Sequence, residues 1–346
     1  MKRWAGPFGI LAALLFLFYP LDYYISKPGG AYELSPIVEV EAKDRGDEGE
    51  LRLLTIALSK ATPATYIYQS WRDPEHLMKA NQIRREDEDD EAYEVRQLKL
   101  MSNSQLNAIQ VAYDKTGYPY ELVNNGLFIY SVVKESPADG ILKPGDRIQA
   151  IDGSTDVSET ALQEFILTKD VGDTINLTID RDGEKQQVTI TLGSIPELPD
   201  RPAVGISYQQ DQEITTEREV VFQSEEIGGP SAGLMFTLEI MNQLVEGDLT
   251  KGYRIAGTGE IAGDGTVGRI GGIDLKVVAA ANEEVDFMFA PDDVIAADIL
   301  EQNPDLQSNY QDALDAKEEL GLDIEIVPVK TIDDALDYLE KLPPKS

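Results

Sequence analysis

The period of apolar and polar positions changes several times along the chain, and each change marks a different kind of element. An uncharged stretch from Trp4 to Leu21 contains the block Ile10-Leu11-Ala12-Ala13-Leu14-Leu15-Phe16-Leu17-Phe18. As a helix it would rise roughly 27 Å, about the depth of a bilayer core. None of its faces is polar, so it reads as a transmembrane helix rather than a surface helix. Lys2 and Arg3 before it and Asp22 after it orient the N-terminus to the cytoplasm, with Tyr19, Tyr23 and Tyr24 expected at the far interface. No small-x-small cleavage site follows, which favours an uncleaved anchor over a signal peptide.

Lys27-Pro28-Gly29-Gly30 then reads as a linker. Strands are predicted over residues 32–72: Ile37 to Ala42 alternates, Leu51 to Leu58 is largely apolar, and Thr65-Tyr66-Ile67-Tyr68 is β-branched and aromatic. Trp71 is expected in a core or at a strand edge. From Asp73 to Asp114 there is no glycine, and Glu, Gln, Leu and Ala abound, which predicts mainly helix with Val95, Leu98 and Met101 to Leu106 buried. The acidic run Glu86 to Glu91 lacks the spacing of a calcium loop and reads as a solvated loop or helix start.

Residues 122–194 carry an ordered set of turns and strands. Asn125-Gly126-Leu127-Phe128-Ile129 leads into a strand ending at Val132-Val133. After it come Ser136-Pro137-Ala138, Leu142-Lys143-Pro144-Gly145-Asp146-Arg147-Ile148, Ile151-Asp152-Gly153, a helical stretch from Glu159 to Leu167, and a hairpin at Asp182-Gly183. This order resembles a PDZ domain. The resemblance implies that Gly126, Leu127, Phe128 and Ile129 present N–H groups to a peptide carboxylate. The strand that follows would take the peptide as an added edge strand, facing Leu162, Phe165 and Ile166 on the helix. Ser131-Val132-Val133-Lys134 matches the S-x-x-K of penicillin-binding enzymes, whose chemistry needs both residues one helical turn apart. Adjacent valines and Pro137 instead place Ser131 on a strand.

Composition narrows the chemistry. The 346 residues, 42% hydrophobic, suffice for two or three domains with proper cores. A formal net charge of −33 argues against a nucleic-acid partner. With no Cys and one His, His76, the chain has no thiol nucleophile, disulfide or imidazole cluster, and neither a metal nor a cofactor is expected. A Ser-His-Asp triad would have to recruit His76, far upstream in a polar stretch. Lysine is the plausible base for a side-chain nucleophile.

One serine and one lysine fit that chemistry. Pro230 suits a turn entering a helix, and Leu234, Leu238, Met241 and Val245 recur at helical spacing, so Ser231 sits at a helix N-terminus. There the free N–H groups can stabilise an oxyanion, and Gly228 and Gly229 let a substrate backbone approach. Capping the helix would account for Ser231 equally well. Lys276, 45 residues on, follows Gly271-Gly272 and precedes Val277-Val278-Ala279-Ala280-Ala281, a small-residue helix that would desolvate its amine. Desolvation lowers a lysine pKa and makes a general base; an isolated lysine more often lies along the surface.

The segments Gly-Gly-Pro-Ser-Ala-Gly at 228–233, Gly-Thr-Gly-Glu-Ile at 257–261 and Gly-Arg-Ile-Gly-Gly-Ile-Asp-Leu-Lys at 268–276 together resemble the proteolytic domain of Lon proteases. With the anchor and the PDZ-like region, the chain is similar to the membrane-anchored Lon-like proteases of Gram-positive bacteria. That resemblance implies Ser231 as nucleophile, Lys276 as base and Thr258 as the residue that orients the lysine, and it suggests a homo-oligomeric ring. Two departures stand out. No G-x-x-x-x-G-K-[ST] occurs, so no nucleotide partner is expected, and Gly228 occupies a position where Lon usually has an acid.

The expected architecture is multidomain α+β. Residues 1–24 would form a cytoplasmic tip and transmembrane anchor, 25–118 an extracytoplasmic N-terminal region, 119–195 the PDZ domain and 196–346 the Lon-like proteolytic domain. The expected activity is ATP-independent serine endopeptidase action on extended or unfolded protein segments at the outer face of the membrane. A non-catalytic membrane-tethered PDZ adaptor is the alternative, and a holdase chaperone a third.

Overall fold

The computed structural model describes residues 16–41, 49–72, 76–85, 88–195, 198–223 and 228–345. The chain divides into two units, one made of Met1–Glu39, Lys43–Arg85 and Ser231–Ser346, the other of Val40–Ala42 and Glu86–Pro230.

The first unit is built on a six-stranded sheet in the order Glu325–Val329, Phe287–Pro291, Arg254–Gly257, Glu50–Lys60, Tyr23–Glu33, Leu77–Lys79. The first four strands run parallel and the last two join antiparallel. Every residue of Phe287–Pro291 is buried, as a parallel strand covered on both faces requires. On one face Leu54, Ala256, Met288 and Ala290 pack against Ile273, Val277 and Ala280 of the helix Ile273–Asn282 and Ala313 of the helix Asn309–Leu320. On the other, a Cβ at Gly257 would lie 2.4 Å from Met235 Sδ on the helix Gly233–Leu244, so the methionine side chain packs into the space that glycine leaves. Phe287 and Phe289 meet Tyr338 edge-on from the helix Ile332–Lys341.

The N-terminal expectations need correction. Among the described residues no helix is long and apolar enough to cross a membrane, so the transmembrane helix and the single-pass placement are not supported. Residues 4–15, which carry most of the expected span, lie outside the described residues. Tyr23 and Tyr24, expected at a membrane interface, open a strand of the sheet: Tyr24 is buried, and the Tyr23 ring meets Tyr66 edge-on. The expected linker Lys27 to Gly30 lies in the same strand, paired with Glu50–Lys60 across a bulge between Pro28 and Ala31.

The expected strand at Thr65 to Tyr68 is a helix, Pro63–Arg72. Its start overrides β propensity: Thr62 and Thr65 exchange N–H to hydroxyl bonds at 2.7 and 3.3 Å, and Pro63 occupies the first turn. Trp71 is on this helix and 91% exposed, neither in a core nor at a strand edge.

The second unit opens with the helix Asp90–Thr116, capped by Asp89, whose side chain accepts from Ala92 N, and ended by Gly117 at φ 77°. An antiparallel sheet follows in the order Ile206–Thr216, Tyr120–Val132, Arg147–Ile151, Thr174–Arg181, Glu184–Thr191. Its core gathers Leu127, Ile129, Ile148, Ile175, Leu177 and Ile190 with Leu162 of the helix Glu159–Leu167. Asp211, buried in the edge strand, pairs with both Lys99 of the long helix and Arg147 of the sheet. Asp211 thus joins the helix to the sheet through its two ion pairs.

Candidate active site

Ser231 and Ala232 form a tight turn into the helix Gly233–Leu244. Ala232 is the N-cap and no side chain caps this helix, so Ser231 is not a capping serine. The apolar run continues as a helix buried on nearly every side, with Leu234 and Leu238 fully enclosed. The segment leaving the strand Arg254–Gly257 is stitched to the turn: Gly259 N donates to Ser231 O at 2.9 Å, and Leu234 N to Gly259 O at 3.0 Å. Thr258 is thereby fixed beside the serine.

Gly272, at φ 64°, occupies the left-handed conformation before Ile273–Asn282, and Lys276 N donates back to Gly272 O to close the first turn. Lys276 is 2% exposed, and its Nζ lies 2.8 Å from Ser231 Oγ and 2.8 Å from Thr258 Oγ1. Burial pushes its pKa down from 10.5 to about 7, with no neighbouring charge among the causes. Thr258, itself buried, donates its hydroxyl proton to Ser231 O at 3.0 Å. Its oxygen therefore faces Lys276 as an acceptor, and the lone pair of a neutral amine remains for the Ser231 hydroxyl. This arrangement can take a proton from Ser231 near neutral pH.

Gly228 and Gly229 fall in the other unit. Gly229, at φ 87°, donates its N–H to Gln97 O at 3.1 Å, and a Cβ at Gly228 would meet Gln97 Cβ at 3.2 Å. The Gly229 N–H is therefore committed to the long helix. The N–H groups of Ser231, Ala232 and Gly233 donate to no backbone carbonyl among the described residues, and they are the donors open to an oxyanion. His76, the single histidine, takes no part in this cluster; its Nε2 lies 2.8 Å from Asp274 Oδ2 on the first turn of the lysine helix. Among the described residues no group of His, Asp and Glu side chains is arranged to hold a metal.

The residues expected to bind a peptide are placed differently from the expected geometry. Leu127 and Ile129 are core residues, fully buried, while Phe128 is 8% exposed and lies beneath the Lys99 ammonium. Their strand pairs on both edges, with Ile206–Thr216 and with Arg147–Ile151, so it has no edge to offer. Gly126 donates to Asn124 Oδ1 and accepts from Gln210 Nε2, and a Cβ there would lie 2.0 Å from Ile148 O. Leu162 is buried, and Phe165 and Ile166 pack half-buried against the core beside Ile206 and Tyr208. The edge strand beside the helix is Ile206–Thr216, whose Gln210 N donates to Glu159 Oε1 at 2.8 Å. Strand alternation points the backbone of Tyr208, which precedes Gln210 by two residues within one stretch of regular register, to the same side. The sequence signal for this edge is slight: Gly205 followed by Ile206 and Tyr208 at alternate positions.

Two stretches of the chain match known protein families. Residues 109–192 match the PDZ domain family, and residues 224–339 match the Lon protease (S16) C-terminal proteolytic domain. A Lon protease of Metamycoplasma arthritidis is 33% identical over 111 residues, 32% of this chain; the chain covers 11% of that protein. Among solved structures, the PDZ domain of an SdrC-like protein from Listeria monocytogenes is 28% identical, with 25% of this chain and 92% of that one covered and a TM-score of 0.24. Its counterpart from Listeria innocua is 31% identical, with 24% and 92% covered and a TM-score of 0.23. Residues 109–192 are thus similar to PDZ domains, and residues 224–339 to the C-terminal proteolytic domain of Lon proteases.

Proposed function

We propose that the chain is an ATP-independent endopeptidase that uses Ser231 as nucleophile and Lys276 as general base, with its PDZ domain engaging extended segments of the substrate. The observation that carries this reading is the buried Lys276 amine 2.8 Å from Ser231 Oγ, with burial lowering its pKa to about 7. Ser231 Oγ attacks the scissile carbonyl as its proton passes to Nζ. The N–H groups at the head of the Gly233–Leu244 helix receive the oxyanion, and the protonated lysine returns its proton to the leaving amine. Water then cleaves the acyl-enzyme, with Lys276 again accepting a proton.

These residues contain no nucleotide cradle, so the expected substrates are already extended: termini, loops and unfolded chains. The groove between the Ile206–Thr216 edge and the Glu159–Leu167 helix supports strand-addition binding of such a segment. The test is incubation of the wild type, Ser231→Ala and Lys276→Ala with an unfolded protein, read by mass spectrometry. Cleavage by the wild type alone is expected; cleavage retained in either variant, or absent from all three, would overturn the assignment.

A further inference from the structure

We infer that Ser104 is a positioning residue for the oxyanion donor of Ser231, and this rests on the reading of Ser231 as nucleophile. Ser104 lies on the Asp90–Thr116 helix, is 2% exposed, and donates its hydroxyl to Pro230 O at 2.9 Å. The Pro230 carbonyl and the Ser231 N–H belong to one peptide unit. The described chain contains no cis peptide bond, so the two groups point in opposite directions across that plane. Anchoring the carbonyl on Ser104 therefore fixes the direction in which the Ser231 N–H leaves.

The same helix holds the preceding residue as well. Gly229 N donates to Gln97 O at 3.1 Å, so the segment before the nucleophile is gripped at points seven residues apart on the helix, Gln97 and Ser104, two turns along one face. Pro230, which has no N–H, adds a fixed φ between the two grips. An oxyanion donor contributes to the rate only when aimed beforehand at the position the charge will occupy. In a segment with two glycines before the proline, that aim depends on an external hold, and Ser104 supplies the hold nearest the nucleophile.

Ser104 bonds the Pro230 carbonyl, whereas the Lys276 amine is held by Ser231 and Thr258, which separates its effect from that of the base. Without its hydroxyl, the peptide plane can rotate while the dyad stays assembled. The expected signature of Ser104→Ala is a kcat at least tenfold lower, with KM and the apparent pKa of the rate unchanged. Ser104→Cys, close in size with a weaker donor, is expected to fall between wild type and Ala.

The experiment is steady-state hydrolysis of an unstructured fluorogenic peptide by the full chain, for wild type, Ser104→Ala, Ser104→Cys and Ser231→Ala across pH 6 to 9, with thermal unfolding of each. A tenfold or larger kcat loss in Ser104→Ala at unchanged KM and melting temperature, graded through Cys, is the expected result. Equal kcat in Ser104→Ala and wild type would overturn it, as would a loss that follows a lowered melting temperature or a shifted pH profile. If Ser231→Ala cleaves as fast as wild type, the nucleophile assignment itself fails, an outcome distinct from a silent Ser104.

Discussion

Thr258 Oγ1 lies 2.8 Å from Lys276 Nζ and donates its own proton to the Ser231 carbonyl, so one hydroxyl holds both the Lys276 amine and the turn that carries Ser231. Replacing it tests that double duty. Thr258→Val keeps the shape but leaves the buried amine short of an acceptor, at a cost of about 1–3 kcal/mol. Peptide cleavage is expected to fall ten- to hundredfold, while Thr258→Ser retains most of the rate. Steady-state rates with matched melting curves check this; a fully active Val variant would remove Thr258 from the mechanism.

The lowered pKa of Lys276 gives two pH dependences. A general base works when deprotonated, so kcat/KM should rise with pH through about 7 and level off above it. Stability should change over a different range. The folded state holds the lysine proton less tightly than the unfolded chain, whose value is 10.5. Between about pH 7 and 10.5 the unfolded state binds more protons, and stability rises with pH. The slope from this group is at most about 1.4 kcal/mol per pH unit. Lys276→Met should abolish that contribution and be more stable than wild type at pH 6, which denaturant titrations at several pH values would show.

Gly229 combines φ 87° with a virtual Cβ 3.2 Å from Gln97 Oε1. Alanine there must adopt a strained backbone, at about 1–3 kcal/mol, or shift the segment that leads to Ser231. Gly229→Ala is expected to lose most activity with a modest drop in melting temperature. Gly140, also at positive φ but with nothing within 4 Å of its virtual Cβ, serves as the control: Gly140→Ala should remain active.

The serine and lysine were legible in the sequence because each sits in a local signal. Pro230 and the apolar period from Leu234 mark one helix, and Gly271-Gly272 before a small-residue run marks the other. What local pattern could not give was pairing over long separation. Glu50–Lys60 reads as a strand, yet its place beside Arg254–Gly257, some two hundred residues away, is set by tertiary packing alone. Lys27 to Gly30 looks like a linker because Pro and Gly usually punctuate, but an antiparallel neighbour and a bulge absorb both. In the PDZ domain the sequence located the core strand correctly as a strand, while the two-sided pairing that closes its edges depends on Ile206–Thr216, which lies beyond the recognisable motif.

The edge of Ile206–Thr216 offers the sharpest test of peptide engagement. Gln210 N reaches the Glu159–Leu167 helix, so by alternation the Tyr208 N–H faces the groove rather than the sheet. Proline at 208 removes that donor and leaves the ladder to Tyr120–Val132 intact, since edge strands tolerate a proline whose missing N–H faced outward. In a Ser231→Ala background that prevents turnover, a labelled extended peptide is expected to bind Tyr208→Pro at least tenfold more weakly than Tyr208→Ala, which loses the same half-buried ring but keeps the N–H, with similar melting temperatures for the two variants. Leu127→Ala should behave differently. Leu127 is fully buried in the core, and its truncation costs about 2–5 kcal/mol, so binding and melting temperature should fall together. Fluorescence anisotropy with parallel thermal melts separates the two patterns. Undiminished binding by Tyr208→Pro would move peptide recognition away from this edge.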